Sequence, residues 1–180
     1  MEDTPFARNL REGQVSIFQS RRLSVTSQSE ILNQGVAQLN EQITGRTITR
    51  ILHMDSKDPL DWYSNKQNTG EASTYGSEFV AVRIATEQIM DLRITLRYLG
   101  VPIGKSYMFG DNRSVVDSST IPQSKLNKRH TALSFHRVRE AIAAGTIRLA
   151  KEDGQTNLAD VLTKLMPGPR LKALISCILW

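Results

Sequence analysis

The most restrictive feature of this sequence is the stretch from Thr74 to Gly100. Phe79 and Ile84 are followed there by Ala85, Ile89, Leu92, Leu96 and Leu99, which recur at three- and four-residue steps, the spacing that lines one face of a helix. Thr74 can cap this helix, Glu78 falls in its first turns, and Gly100 with Pro102 ends it. At about 1.5 Å per residue the helix spans a whole small domain. Whatever else the chain forms must pack along that rod.

The pattern on either side is β. Upstream, Thr47, Ile48, Thr49, Ile51 and Leu52 are branched or apolar, and after the polar turn Asp55 to Asp58 comes Leu60 to Ser64 with Trp62 and Tyr63. Two short antiparallel strands are expected there. Downstream, Ser106 to Gly110 reads as a strand leading into Asp111 and a short helix through Val115 and Val116. A loop marked by Pro122 precedes a second long helix, roughly Asn127 to Ala144, closed by Gly145. Thr146 to Ala150 alternates as a strand, Asp153 and Gly154 turn the chain, and Asn157 or Thr156 caps a helix carrying Asp160, Leu162 and Leu165. Pro167 and Pro169 stop that helix, and Leu171 to Leu179 forms a last apolar one. Strand pair, helix, strand, helix, strand, helix is an α/β order with a mixed sheet. Met1 to Gly45 differs: it is rich in Ser, Gln, Asn and Arg, and its one periodic run is Ile31, Leu32, Val36, Leu39 and Ile43. It reads as a divergent leader, 1–44, partly disordered with one amphipathic helix, ahead of a domain at 45–166 and an apolar tail at 167–180.

A chain of 180 residues holds one domain, or one domain with an appendage. Its 39% hydrophobic and 23% charged residues exclude a disordered or collagen-like chain. The single cysteine, Cys177, cannot make an internal disulfide, so the expected setting is intracellular, with nucleus and cytoplasm both open. No apolar run approaches the ~20 residues of a membrane helix, and Met1 to Gly13 carries three acids, unlike a signal peptide. Lys and Arg outnumber Asp and Glu by 23 to 18, a net charge of +5. Between Gln123 and Arg139 lie Lys125, Lys128, Arg129, Arg137 and Arg139 with His130 and His136 interleaved and no acid at all. Such a stripe suits a solvated helix face and equally the phosphates of a nucleic acid. The two histidines are six apart rather than three or four, which argues against a zinc site on one helical face.

Three acids stand at element ends: Glu78 early in the long helix, Asp111 after the Ser106–Gly110 strand, and Asp160 near the start of a late helix. Strand ends facing helix starts are where α/β sheets build ligand sites. Carboxylates converging there repel one another unless divalent cations neutralise them, and magnesium is the natural ion for an all-oxygen set. The helix dipole also favours acids at helix starts whatever the function, so position alone leaves both readings open.

The ordered motifs W-Y-S-x-K-Q at Trp62, S-T-x-x-S-E-F at Ser73, G-D-N at Gly110, K-R-H at Lys128 and A-D-x-x-T-K at Ala159 carry a likeness. The stretch from about Gly45 to Lys164 closely resembles the carboxy-terminal ribonuclease H domain of copia-type retrotransposon polyproteins. The resemblance implies a ribonuclease H-like mixed sheet with flanking helices. It assigns Glu78, Asp111 and Asp160 as three of four metal-binding carboxylates that hold two magnesium ions for cleavage of RNA in an RNA–DNA hybrid. It also implies a reverse transcriptase region of the parent polyprotein as a partner, and no membrane. Lys125, Lys128, Arg129, His130 and Arg137 are the candidates for contacts to the hybrid backbone. The fourth acid, on the first and central strand, lies in relatives a little upstream of the segment that here reads Thr44, Gly45, Arg46, Thr47. No Asp occurs between Asp3 and Asp55, and Glu41 lies in a segment that reads as helix. The first central strand is therefore expected to be missing or replaced and activity to be impaired, since even outer-shell changes at metal sites cost roughly 10–100-fold. A non-catalytic nucleic-acid-binding module using Lys125 to Arg139, and an inert transposon relic, are the other two readings.

Overall fold

The computed structural model describes residues 14–21, 47–55, 58–68, 74–101, 103–126, 129–162 and 166–178, and for 14–21 the backbone alone. Five strands and four α-helices are found among them: β1 Gln14–Arg21, β2 Ile48–Asp55, β3 Asp58–Lys66, α1 Thr74–Tyr98, β4 Ser106–Gly110, α2 Arg113–Thr120, α3 Ala132–Ala143, β5 Ile147–Lys151 and α4 Gly168–Ser176. Two 3₁₀ turns, Arg129–Thr131 and Leu158–Leu162, precede α3 and α4. The described strands form one sheet in the order β3-β2-β1-β4-β5. β2 runs antiparallel to β1 and to β3, whereas β4 runs parallel to β1 and to β5.

The strand pair expected from Thr47 to Ser64 is present, with a bulge between His53 and Met54. β3 lies at the sheet edge, where Pro59 costs no ladder bond. Trp62 points outward at 68% exposure while Tyr63 packs toward the core. The long helix α1 packs against β1, β2, α2 and α3. Its end is a Schellman turn: Gly100 sits at φ 76, its N–H donates to the Arg97 carbonyl, and the Val101 N–H donates to that of Leu96. Gly145 at φ 68 closes α3 in the same way, with Thr146 donating to Ala141.

Two cores lie on opposite faces of the sheet. Phe79, Val82, Ala85 and Ile89 of α1 meet Ile51, Met108, Val115, Phe135 and Val138 in the larger one. Leu52, Met54, Phe109, Leu158, Ala159 and Leu174 form the smaller. Each fully buried side chain of this size contributes roughly 1.5–3 kcal/mol.

The first central strand is replaced, one of the two expected outcomes: residues 14–21, read as part of a leader, fill the slot between β2 and β4. Two other expectations change. Leu174 is buried in the smaller core, so the C-terminal segment is packed against the sheet rather than lying apart as a tail. Pro167 and Pro169 open α4 instead of merely stopping its predecessor, since proline is tolerated where the first N–H groups have no helical partner. The run at 31–43 and Glu41 lie outside the described residues.

Candidate nuclease-like site

The topology brings Asp111 and the start of α1 to one end of the sheet. β1, β3, β4 and β5 all run the same way, so their C-terminal ends share an edge. Asp111 follows β4 directly. Gln67, just past β3, donates through Nε2 to the Ser77 carbonyl at 2.8 Å and to Thr49 Oγ1 at 2.7 Å, which ties the start of α1 and hence Glu78 to the same edge. Asp160 belongs to the 3₁₀ turn after β5, which packs against β1 and β2. The Asn157 side chain caps that turn, Oδ1 accepting from the Ala159 N–H at 3.0 Å.

All three carboxylates are drawn in from water. Glu78 is 4% exposed and Asp160 fully buried, and Glu78 Oε2, Asp111 Oδ1 and Asp160 Oδ1 are shielded from solvent. Asp160 Oδ2 accepts from Arg170 Nη2 at 3.1 Å. Asn112 is the N-cap of α2, accepting from the Val115 N–H at 3.3 Å, and that role accounts for the Asp-Asn pair without a ligand.

The described residues alone do not fit a pair of divalent cations. Among the described residues no three His, Cys, Asp or Glu side chains group closely enough to hold a metal ion. The central strand, QVSIFQSR, contributes no acid. Its parallel ladder with β4 runs from Val15 to Ile17 opposite Tyr107 to Phe109.

Sequence reasoning missed two groups at this edge. Glu152 follows β5, is 3% exposed, donates its N–H to the Gly110 carbonyl at 2.9 Å and accepts from Thr156 Oγ1. Burial pushes its carboxyl above the usual range, with the Thr156 hydrogen bond opposing. Arg170 is the other, ten residues past Asp160, a pairing that no local pattern signals.

The basic stripe is only partly open. Lys125 and Arg129 are exposed, Lys128 is not among the described residues, and His130 lies in the 3₁₀ turn ahead of α3. Arg137 donates to Glu140 Oε2 at 2.9 Å and to Met90 Sδ at 3.4 Å. Arg139 is used internally: it donates to the carbonyls of Ser118, Ile121 and Pro122 at 2.8–3.0 Å and lies over the Phe135 ring.

No family model matches the chain. Over 122 residues, 68% of the chain, it is 25% identical to the retrovirus-related Pol polyprotein from transposon TNT 1-94 of Nicotiana tabacum, and over 107 residues it is 25% identical to that from transposon RE2 of Arabidopsis thaliana. These matches span 9% and 7% of the two polyproteins. Among solved structures, LC11-RNase H1 in complex with an RNA/DNA hybrid superposes with a TM-score of 0.57 at 12% identity, covering 82% of this chain and 91% of that one. RNase H1 from Halobacterium salinarum NRC-1 gives 0.55 at 13% identity, covering 81% and 89%. The fold is that of ribonuclease H, and the curated relatives are retrotransposon Pol polyproteins, as the motifs led one to expect.

Proposed function

We propose that this chain, a ribonuclease H fold similar to retrotransposon Pol polyproteins, is a copia-type ribonuclease H-like domain that retains a nucleic-acid-binding frame and has lost effective hydrolysis of the RNA strand in RNA–DNA hybrids. The observation that carries this reading is the central strand: residues 14–21 fill the slot beside β4 with no carboxylate among them. Glu78, Asp111 and Asp160 are in this view the remnant of a metal-binding set, and magnesium is held too weakly there for hydrolysis. These three residues would hold the ion, and each carboxylate withdrawn from such a set would remove negative charge that attracts a cation. The hybrid would lie against Lys125, Lys128, Arg129, His130 and Arg137, gripped through phosphates and 2′-hydroxyls. A reverse transcriptase region of a parent polyprotein is the natural neighbour, in an intracellular setting.

One experiment tests both halves. The full chain is incubated with an end-labelled hybrid and magnesium, beside Glu78→Ala, and binding of the same hybrid is measured across a salt series. Cleavage no faster than that of Glu78→Ala is expected. Binding should weaken steeply as salt rises, and the slope should flatten by about two in Lys128→Ala plus Arg129→Ala, about one for each phosphate that is no longer neutralised. Magnesium-dependent cleavage well above the control would overturn the impairment, and salt-insensitive binding would overturn the interface.

A further inference from the structure

We infer that Arg170 is a resident counter-ion for Asp160 that bars the carboxylate from divalent cations. The inference rests on the reading of the site given above and adds a second cause of its silence, independent of the central strand.

A fully buried carboxylate must be neutralised by something. In this chain the neutralising charge is supplied from within. Arg170 Nη2 donates to Asp160 Oδ2 at 3.1 Å and to the Gly154 carbonyl at 2.7 Å, so the guanidinium is braced by the turn after β5 as well as by the 3₁₀ turn. Its own side chain is 29% exposed, so the guanidinium is the partly solvated member of a pair whose carboxylate is fully buried. The placement is built into the fold. Arg170 lies in the first turn of α4, whose entry is set by Pro167 and Pro169, and α4 is anchored on the sheet by Leu174 in the smaller core.

A guanidinium and a divalent cation compete for the same oxygens. Arginine presents its donors in a fixed fork, so one guanidinium holds the Asp160 carboxylate and the Gly154 carbonyl at once. Magnesium dehydrates reluctantly and requires a near-octahedral oxygen shell. To reach Asp160 it would have to displace a donor held at two points and then sit beside the displaced positive charge. No third His, Cys, Asp or Glu among the described residues groups there to offset that cost.

The test reads ion binding on the full chain without nucleic acid, so it is separate from the cleavage assay. MnCl₂ is the probe, and selective paramagnetic broadening of the amides of residues 157–161 is the readout. The wild-type chain is expected to show no selective loss at millimolar Mn²⁺. Arg170→Gln is expected to lose intensity several-fold at these amides, Arg170→Lys to stay close to wild type, and adding Asp160→Asn to Arg170→Gln to abolish the effect. Should Arg170→Gln be unfolded without ions, folding on addition of MnCl₂ supports the inference, and failure of MnCl₂ to restore it overturns the inference. Selective broadening in the wild type, or none in a folded Arg170→Gln, also overturns it. Cleavage by the wild-type chain would instead strike at the proposed function.

Discussion

His53 shows how a single side chain sets the response to pH. It lies in β2 at 3% exposure, its Nε2 donating to Gln88 Oε1 at 3.1 Å. Burial pushes its pKa below the ordinary 6.5, against smaller opposing effects of the Gln88 hydrogen bond and the charge of Asp61. A histidine whose folded pKa is depressed favours folding fully above pH 6.5, and that contribution is lost as pH falls through the folded value. Glu152 works in the opposite sense, because its raised folded pKa gives a contribution present below 4.5 and lost as pH rises. The total profile therefore mixes the two, and the difference between wild type and His53→Gln isolates the first. Urea denaturation from pH 7.5 down to pH 5 is expected to show the wild-type chain losing stability relative to His53→Gln. Parallel curves for the two would mean that the ring is not held neutral by burial.

Between elements, the informative interaction is Arg139 at the end of α2. The sequence places Arg139 in a basic run and so suggests phosphate contact, yet the fold turns it toward the Ser118, Ile121 and Pro122 carbonyls. Those carbonyls lie at the negative end of the α2 dipole, where a cation is favoured. The guanidinium also stacks over Phe135 of its own helix at 5.1 Å, and so fastens α3 to the end of α2. Arg139→Met keeps much of the stem and removes the donors. It should cost about 1.5–3 kcal/mol in urea denaturation, the range for hydrogen bonds to a charged group, while leaving the salt dependence of hybrid binding unchanged. A flatter binding slope with little change in stability would return Arg139 to the nucleic-acid interface. The same contrast explains what was legible beforehand. α1, the β2–β3 pair and the glycine stops at Gly100 and Gly145 could be read because their signals are local: periodicity, turn residues and cap chemistry. Arg139 and Arg170 could not, because the partner of a long cationic side chain is chosen by packing of segments ten or more residues away. The three acids could be placed at element ends, but whether side chains group as a metal cage is a matter of distance that spacing along the chain does not contain.

At the scale of the whole molecule, everything turns on β1. The likeness to polyprotein domains begins near residue 45, which suggests a unit starting there, but the sheet has no continuous ladder without residues 14–21. Val15, Ile17 and Phe18 stand among Gln and Ser, a pattern too short and too polar to announce a central strand. Its place is decided by pairing with partners 27 to 41 residues away in β2 and 92 residues away in β4. Such pairing closes long loops at an entropic cost that grows slowly with length. β1 pairs along its whole length with β2 and over Val15 to Ile17 with β4, and it separates the smaller core from the larger. Even half a dozen ladder bonds at about 0.5–1.5 kcal/mol each rival the roughly 5–15 kcal/mol that holds a domain folded. Removing the strand would also leave β2 and β4 with facing unpaired edges, a template for aggregation. A chain beginning at residue 45 is therefore expected to show no cooperative thermal transition and a collapsed amide spectrum, whereas the full chain unfolds sharply. Adding the peptide 10–24 in excess should recover part of the transition, because the slot between β2 and β4 is open to a strand supplied in trans. A truncated chain that melts as sharply as the full one would show that residues 14–21 are not the centre of this sheet, and with them would go the physical ground for tying the lost carboxylate to the replaced strand.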